Sequence, residues 1–268
     1  MRPMMPLCIL LMVVVATTSA QGPPLNANAE ELFDHGMNAL AGSSVTRNDS
    51  DTVELFRRSA QKGYAPAQVV LGYFYDTGTL IAGDQNEAAD WYRKAADQGD
   101  PLAQWSLGRL YFLGNGPRQD YKEAERWLKP AAEQGDPFAN YLLGRVMQDR
   151  DYTKAPDYFL KAARQGLPQA QYHYAVALKD GRGIPQDRFK AYVWFLIAVD
   201  GANATSTVDL TDIESKLTTD QVEKAKSRAR ALEGKFSRSV TARGCTGWVG
   251  EFDDVPLPPP PRLQRFCR

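Results

Sequence analysis

The 268-residue chain holds only two histidines, His35 and His173, and three cysteines, and its Lys plus Arg equal its Asp plus Glu at 32 each. Two histidines with no Cys or carboxylate at ligand spacing do not make a zinc site, so no metal and no cofactor is expected. A balanced charge gives no positive field to recruit a nucleic-acid backbone, which excludes nucleic acid as a partner. No Gly-x-Ser-x-Gly, Ser-x-x-Lys or phosphate-binding glycine loop occurs; no catalytic residue is singled out, and the chain reads as a non-enzyme. Long apolar runs are missing too. The run at residues 7–16 is about half of the ~20 residues a membrane-spanning helix needs, so no direct membrane anchor is expected.

That run has another meaning. Arg2 precedes it and Thr18-Ser19-Ala20 closes it before Gln21, the pattern of a signal peptide cut between Ala20 and Gln21. The expectation is a leader over 1–20, a linker over 21–26, and a mature chain in the periplasm or secreted. Cys8 leaves with the leader, and Cys245 and Cys267 remain in an oxidising compartment, where a disulfide is expected rather than two free thiols. It would close a loop of roughly 22 residues, worth about 3 kcal/mol in the chain-entropy picture.

What the chain has in abundance is repetition. Lys62-Gly63, Gln98-Gly99, Gln134-Gly135 and Gln165-Gly166 recur at intervals of 36, 36 and 31 residues, a period that means stacked supersecondary units. Four residues after each glycine comes Ala67, Ala103, Ala139 or Ala170, and four further on Leu71, Leu107, Leu143 or Tyr174, the inner face of a first helix. Gly72, Gly108, Gly144 and Ala175 then share one position. Glycine inside a helix costs roughly 1 kcal/mol against alanine, so close approach of a neighbouring helix is expected there. After a Gly-containing loop such as Gly114-Asn115-Gly116-Pro117, a second helix carries alanine, an aromatic three later, and alanines beyond: Ala88, Trp91, Ala95 and Ala96 set the pattern. Ala124, Trp127, Ala131 and Ala132 repeat it, as do Ala155, Tyr158, Ala162 and Ala163, and Ala191, Trp194 and Ala198 close the series. One helical pair cannot bury its own apolar face, so neighbours must stack.

The pattern Ala-x-x-x-Leu-Gly-x-x-Tyr, Gly-rich loop, Ala-x-x-Trp-Tyr-x-x-Ala-Ala-x-x-Gly resembles the Sel1-like repeat, a relative of the tetratricopeptide repeat. The resemblance implies an all-α fold: a right-handed α-solenoid of helix-turn-helix repeats, with five copies over 27–202 and the first degenerate. The fourth is shortened at Gln148-Asp149-Arg150-Asp151; Pro130 is expected to kink its helix and Pro156 to fall in a first turn. Closing helices are expected over 203–235, with Thr219 or Asp220 capping the last, and an irregular Pro-rich tail over 236–268. This tail either lies against the solenoid or serves as a proline-rich ligand. From Arg228 onward basic residues mildly outnumber acids. Leader, array, closing helix and a tail with cysteine and proline together resemble the ExoR-type periplasmic regulators of rhizobia. That resemblance implies repression of exopolysaccharide synthesis by binding the periplasmic domain of a membrane sensor histidine kinase. Competing readings are a Sel1-type hydrolase of the β-lactamase-like kind, whose repeats carry cysteine pairs that this chain lacks, and an envelope glycan-binding protein.

The positions that vary between first helices are the candidate partner-binding set. Val69, Trp105, Tyr141 and Tyr172 align, and four residues on, Tyr73, Arg109 and Arg145 align with Val176, so the set shares a face. First helices of such solenoids line the concave surface, giving a stripe of Trp, Tyr and Arg, the types enriched at binding hot spots. The alternative is that its aromatics are inter-repeat core. The loop Gly78-Thr79-Leu80-Ile81-Ala82-Gly83 is the remaining oddity: Leu80 and Ile81 either tuck under the repeat or form an exposed site for partner contact or regulated cleavage.

Overall fold

The computed structural model describes residues 26–40, 49–200 and 206–236. The leader, Ala20, Gln21, Cys245, Cys267 and nearly all of the tail lie outside the described residues. Within them the chain is all helical: α1 (Ala29–Leu40), α2 (Asp49–Gln61), α3 (Ala65–Thr77), α4 (Gln85–Ala96), α5 (Pro101–Leu113), α6 (Tyr121–Glu133), α7 (Pro137–Arg150), α8 (Ala155–Ala163), α9 (Pro168–Asp180), α10 (Arg188–Asp200), α11 (Ser206–Glu214) and α12 (Thr219–Phe236). From α1 to α11 each helix packs on its sequence neighbours, α5 also meets α7, and α11 and α12 both pack on α10. This is the nearest-neighbour logic of an α-solenoid.

Local chemistry sets the boundaries. Asp84, Asp100, Asp120 and Asp136 cap α4 to α7, each side chain accepting from backbone N–H groups of the first turn at 2.8–3.2 Å. Pro101 and Pro137 follow their caps in the first turn, where a missing N–H costs nothing. Pro156 likewise lies in the first turn of α8, and α6 continues through Pro130 to Glu133. The repeat-boundary glycines Gly63, Gly99, Gly135 and Gly166 sit at φ +86° to +88°, a region costly for a side chain, which explains why Gln-Gly recurs. The last helix corrects one expectation: Thr218, not Thr219 or Asp220, is its cap. Thr218 Oγ1 accepts from Gln221 N–H at 3.3 Å and Gln221 Oε1 accepts from Thr218 N–H at 2.9 Å, the reciprocal pair of a capping box.

The recurrent glycines face second helices, as expected. A Cβ on Gly72 would lie 2.7 Å from Tyr92 Cδ1, and one on Gly108 would lie 2.6 Å from Leu128 Cγ. Gly36 faces Phe56 and Gly144 faces Phe159 in the same way. The side chain each glycine admits is the residue after the patterned aromatic: Tyr92, Leu128 and Phe159 are almost wholly buried, whereas Trp91 and Tyr158 are only half-buried. The core falls into two clusters meeting at α3, which turns Val70, Leu71 and Phe74 toward the first unit and Val69 toward the rest.

A second ladder runs beside the glycines. Gln68, Gln104, Asn140 and Gln171, each following the patterned alanine, are buried, and each donates a side-chain N–H to a carbonyl eight residues back: Ala60, Ala96, Ala132 and Ala163, at 3.1–3.4 Å. These carbonyls end the second helices, where each also accepts the N–H of the boundary glycine three residues on at 2.9–3.0 Å, so the amide is a second donor to it. The amide ladder therefore seals each repeat boundary.

Candidate interaction surfaces

The seven residues proposed to face a partner divide sharply. Val69, Trp105 and Tyr141 are 3%, 1% and 1% exposed, inside the main core, so the stripe is corrected for them: their aromatics are inter-repeat packing. Trp105 meets Phe138 of the next repeat edge-on, ring centroids 5.9 Å apart, because a large side chain here fills the space between successive first helices. Buried Trp105 offers no platform for a sugar. Arg109 is also buried. Its guanidinium pairs with Asp76 of the preceding first helix, side chains 8% and 3% exposed, and Tyr92 Oη donates to the same carboxylate at 3.4 Å. A buried cation needs such a partner, and an arginine so engaged is withdrawn from partner contact.

Tyr73, Arg145 and Tyr172 are half-buried. Tyr172, on α9, holds the closing helices: its hydroxyl donates to Asp209 of α11 at 3.1 Å, beside Lys179 Nζ at 2.5 Å from the same carboxylate. Burial, then the Asp209 charge, pushes the Tyr172 phenol up to about 12. Arg145 is the arginine that stays at the surface. It donates to Tyr141 Oη at 3.1 Å and lies 5.7 Å from the ring centroid of Phe112, which stacks on Tyr121 at 5.7 Å and 27°. Arg145, Phe112 and Tyr121 thus form a half-exposed arginine–aromatic ledge across α5, α6 and α7. Phe112 and Tyr121 were outside the candidate set; Phe112 lies one turn beyond the patterned glycine, and alignment with Asp76 was the signal for it.

His173 lies beside Tyr141, ring centroids 5.7 Å apart. It stacks on Phe159, centroids 5.0 Å apart at 16°, and Gln148 Nε2 lies 3.4 Å from its Nδ1. Burial, aided by the Arg145 charge, lowers it to about 3, so the ring is neutral. No group of three or more His, Cys, Asp or Glu that could hold a metal occurs among the described residues.

The Leu80 loop tucks inward. Leu80 and Ile81 are half-buried against the first core cluster. Leu80 sits at φ 65°, where the matching loops place Gly116 at 83° and Gly183 at 73°. A side chain at Gly116 would strike the Gln85 backbone, its Cβ 2.5 Å from the carbonyl oxygen. Leu80 keeps the glycine backbone while adding an apolar contact.

A further surface lies at the C-terminal end, where α8, α9, α10 and α12 enclose a groove of ≈ 780 Å³. Tyr174 and Trp194 meet edge-on in its wall, centroids 5.5 Å apart. No described helix is long and apolar enough to cross a membrane.

Stacked helical pairs, glycine-mediated contacts within each pair and an amide ladder between pairs define a helical-repeat solenoid. The chain matches the Sel1 repeat model over residues 32–64, 65–100, 101–136, 138–167 and 168–203, and it belongs to the Sel1 repeat family. Its fold is similar to that of c5321, a protective antigen of uropathogenic Escherichia coli strains with an SLR fold: TM-score 0.66, 26% identity, over 87% of this chain and 49% of that one. This chain thus spans about half the length of that structure. A Sel1 repeat protein from Oxalobacter formigenes is also similar, with TM-score 0.60 and 27% identity over 83% of this chain and 98% of that one. A 41-residue stretch, 15% of this chain, is 51% identical to DAP3-binding cell death enhancer 1 of Rattus norvegicus, covering 8% of that protein. The chain spans less than a tenth of the length of the curated relatives it matches.

Proposed function

We propose that the chain is an exported protein-binding regulator whose partner docks on the Arg145–Phe112–Tyr121 ledge, flanked by Tyr73 on the same row. The observation that carries this is the ledge itself: the one sequence-proposed arginine left at the surface is held over an aromatic pair. Arginine and aromatic residues on a rigid helical scaffold lose little entropy on binding and supply hot-spot energy. The partner is the periplasmic domain of a membrane sensor histidine kinase, and the consequence of binding is repression of exopolysaccharide synthesis. Support for that assignment is the layout of leader, repeat array, closing helix and Cys245/Cys267 tail.

Export follows from the leader, with the mature chain beginning at Gln21 and Cys245 joined to Cys267. The experiment is affinity capture from solubilised membranes with the mature chain, followed by the ledge variant Arg145→Ala/Phe112→Ala. Recovery of a sensor kinase by the parent chain and its loss with the folded variant supports the reading. Equal recovery by both places the interface elsewhere, and recovery of no kinase rejects the regulator.

A further inference from the structure

The C-terminal groove is not used by that reading. Tyr174, Phe189, Val193 and Trp194 give it an apolar floor, with Leu232 of α12 at one side. Its rim is cationic, formed by Arg164, Lys190, Lys224 and Arg228, and none of the lining residues is acidic. Lys190 pairs with Asp187 at 3.0 Å and Lys224 with Asp220 at 2.7 Å, but these lysine side chains are 65% and 68% exposed. Solvated pairs along one helix are weak, and they leave a net demand for negative charge at the rim. At ≈ 780 Å³ the space suits several side chains of an extended segment.

The chain itself carries a complementary segment. After α12 ends at Phe236, residues 237–268 hold only three acids, and all three lie together in Trp248-Val249-Gly250-Glu251-Phe252-Asp253-Asp254. Two aromatics accompany them. An extended chain advances at most about 3.5 Å per residue, so the stretch between Phe236 and Glu251 spans up to about 50 Å, and reach sets no limit. Covalent attachment also gives the segment an effective concentration on the order of millimolar at the groove.

We propose that segment 248–254 of this same chain docks in the groove, Trp248 and Phe252 on the apolar floor and Glu251, Asp253 and Asp254 against Arg164, Lys190, Lys224 and Arg228. The contact ties the tail to the last repeat and covers the end of the core. It stands independently of the regulator reading.

Carbodiimide cross-linking of the full mature chain, with peptide mapping of the monomer fraction, tests it. Links of Lys190 to Asp187 and Lys224 to Asp220 serve as internal controls of reactivity. Expected are further links from Lys190 or Lys224 to Glu251, Asp253 or Asp254 within monomers, reduced about tenfold in Trp248→Ala/Phe252→Ala, the loss of roughly 1.4 kcal/mol of docking energy. Control links without tail links overturn the proposal, as do tail links unchanged in the double variant. Tail links confined to dimers overturn it as well, by assigning the groove to a second copy.

Discussion

One register position along the first helices is arginine twice, and its two occurrences behave oppositely. Arg109 faces Asp76 one repeat back and is buried; Arg145 faces Phe112, which aligns with Asp76, and stays half-exposed. In the first step the Asp76 carboxylate, which also accepts from the Tyr92 hydroxyl, neutralises the guanidinium, and the slot closes. In the second, the guanidinium lies 5.7 Å from the Phe112 ring centroid and donates to Tyr141 Oη, and the residue stays half-exposed. At the next step Val176 and Gln148 fill the equivalent places, and the amide turns to His173. The repeat fixes the slot; the residue one repeat back decides whether the arginine in it is buried or half-exposed.

Breaking the closed step has the largest effect. Asp76→Ala leaves Arg109 buried without its carboxylate and lowers stability by about 3–5 kcal/mol, measured by urea unfolding. Asp76→Leu/Arg109→Met, which removes both charges, recovers most of that loss; equal damage from both variants refutes the account.

His173 reads the third step through pH. Its folded value, about 3, lies below the ordinary 6.5, so the unfolded chain binds more protons. Stability from this residue is complete above pH ~6.5 and is lost as pH falls toward ~3; at pH 5 the loss is about 2 kcal/mol. His173→Phe flattens that part of the stability profile.

Gly72→Ala pushes Tyr92 away from both Gly72 and Asp76, costing about 1–3 kcal/mol by overpacking, read as a lower unfolding midpoint. The smallest changes belong to the open step. Arg145→Ala shifts stability by under about 1 kcal/mol yet weakens partner capture about tenfold or more. Phe112→Asp, which copies Asp76, removes the aromatic face and sets a carboxylate beside Arg145; it gains or loses no more than about 1 kcal/mol because the site is half-exposed, and it abolishes capture.

Much of the frame was legible in the residues. Gly72, Gly108 and Gly144 announced close helix contacts because a helix tolerates interior glycine only for a packing reason. The boundary glycines marked turns through backbone rules that act within a few residues; the four aspartate caps obey rules of the same short range but came from the structure. The amide ladder was visible in principle, since Gln68, Gln104, Asn140 and Gln171 recur in register, but its carbonyl partners appear only when a helix end folds back. The stripe was misjudged for a similar reason. Spacing put Trp105, Tyr141 and Arg109 on one face, and spacing alone carries no information about how closely the next repeat covers that face.

The sequence by itself determined the all-helical repeat, its register and the shortened fourth unit, because helix periodicity and turn chemistry are local. Only the tertiary structure decided that Arg109 is sealed against Asp76 while Arg145 stays half-exposed beside Phe112. It alone gathered four cations and an apolar floor into one groove beside α12. Both outcomes depend on contacts between residues some thirty or more positions apart, and burial there is set by what the neighbouring repeat brings to the slot.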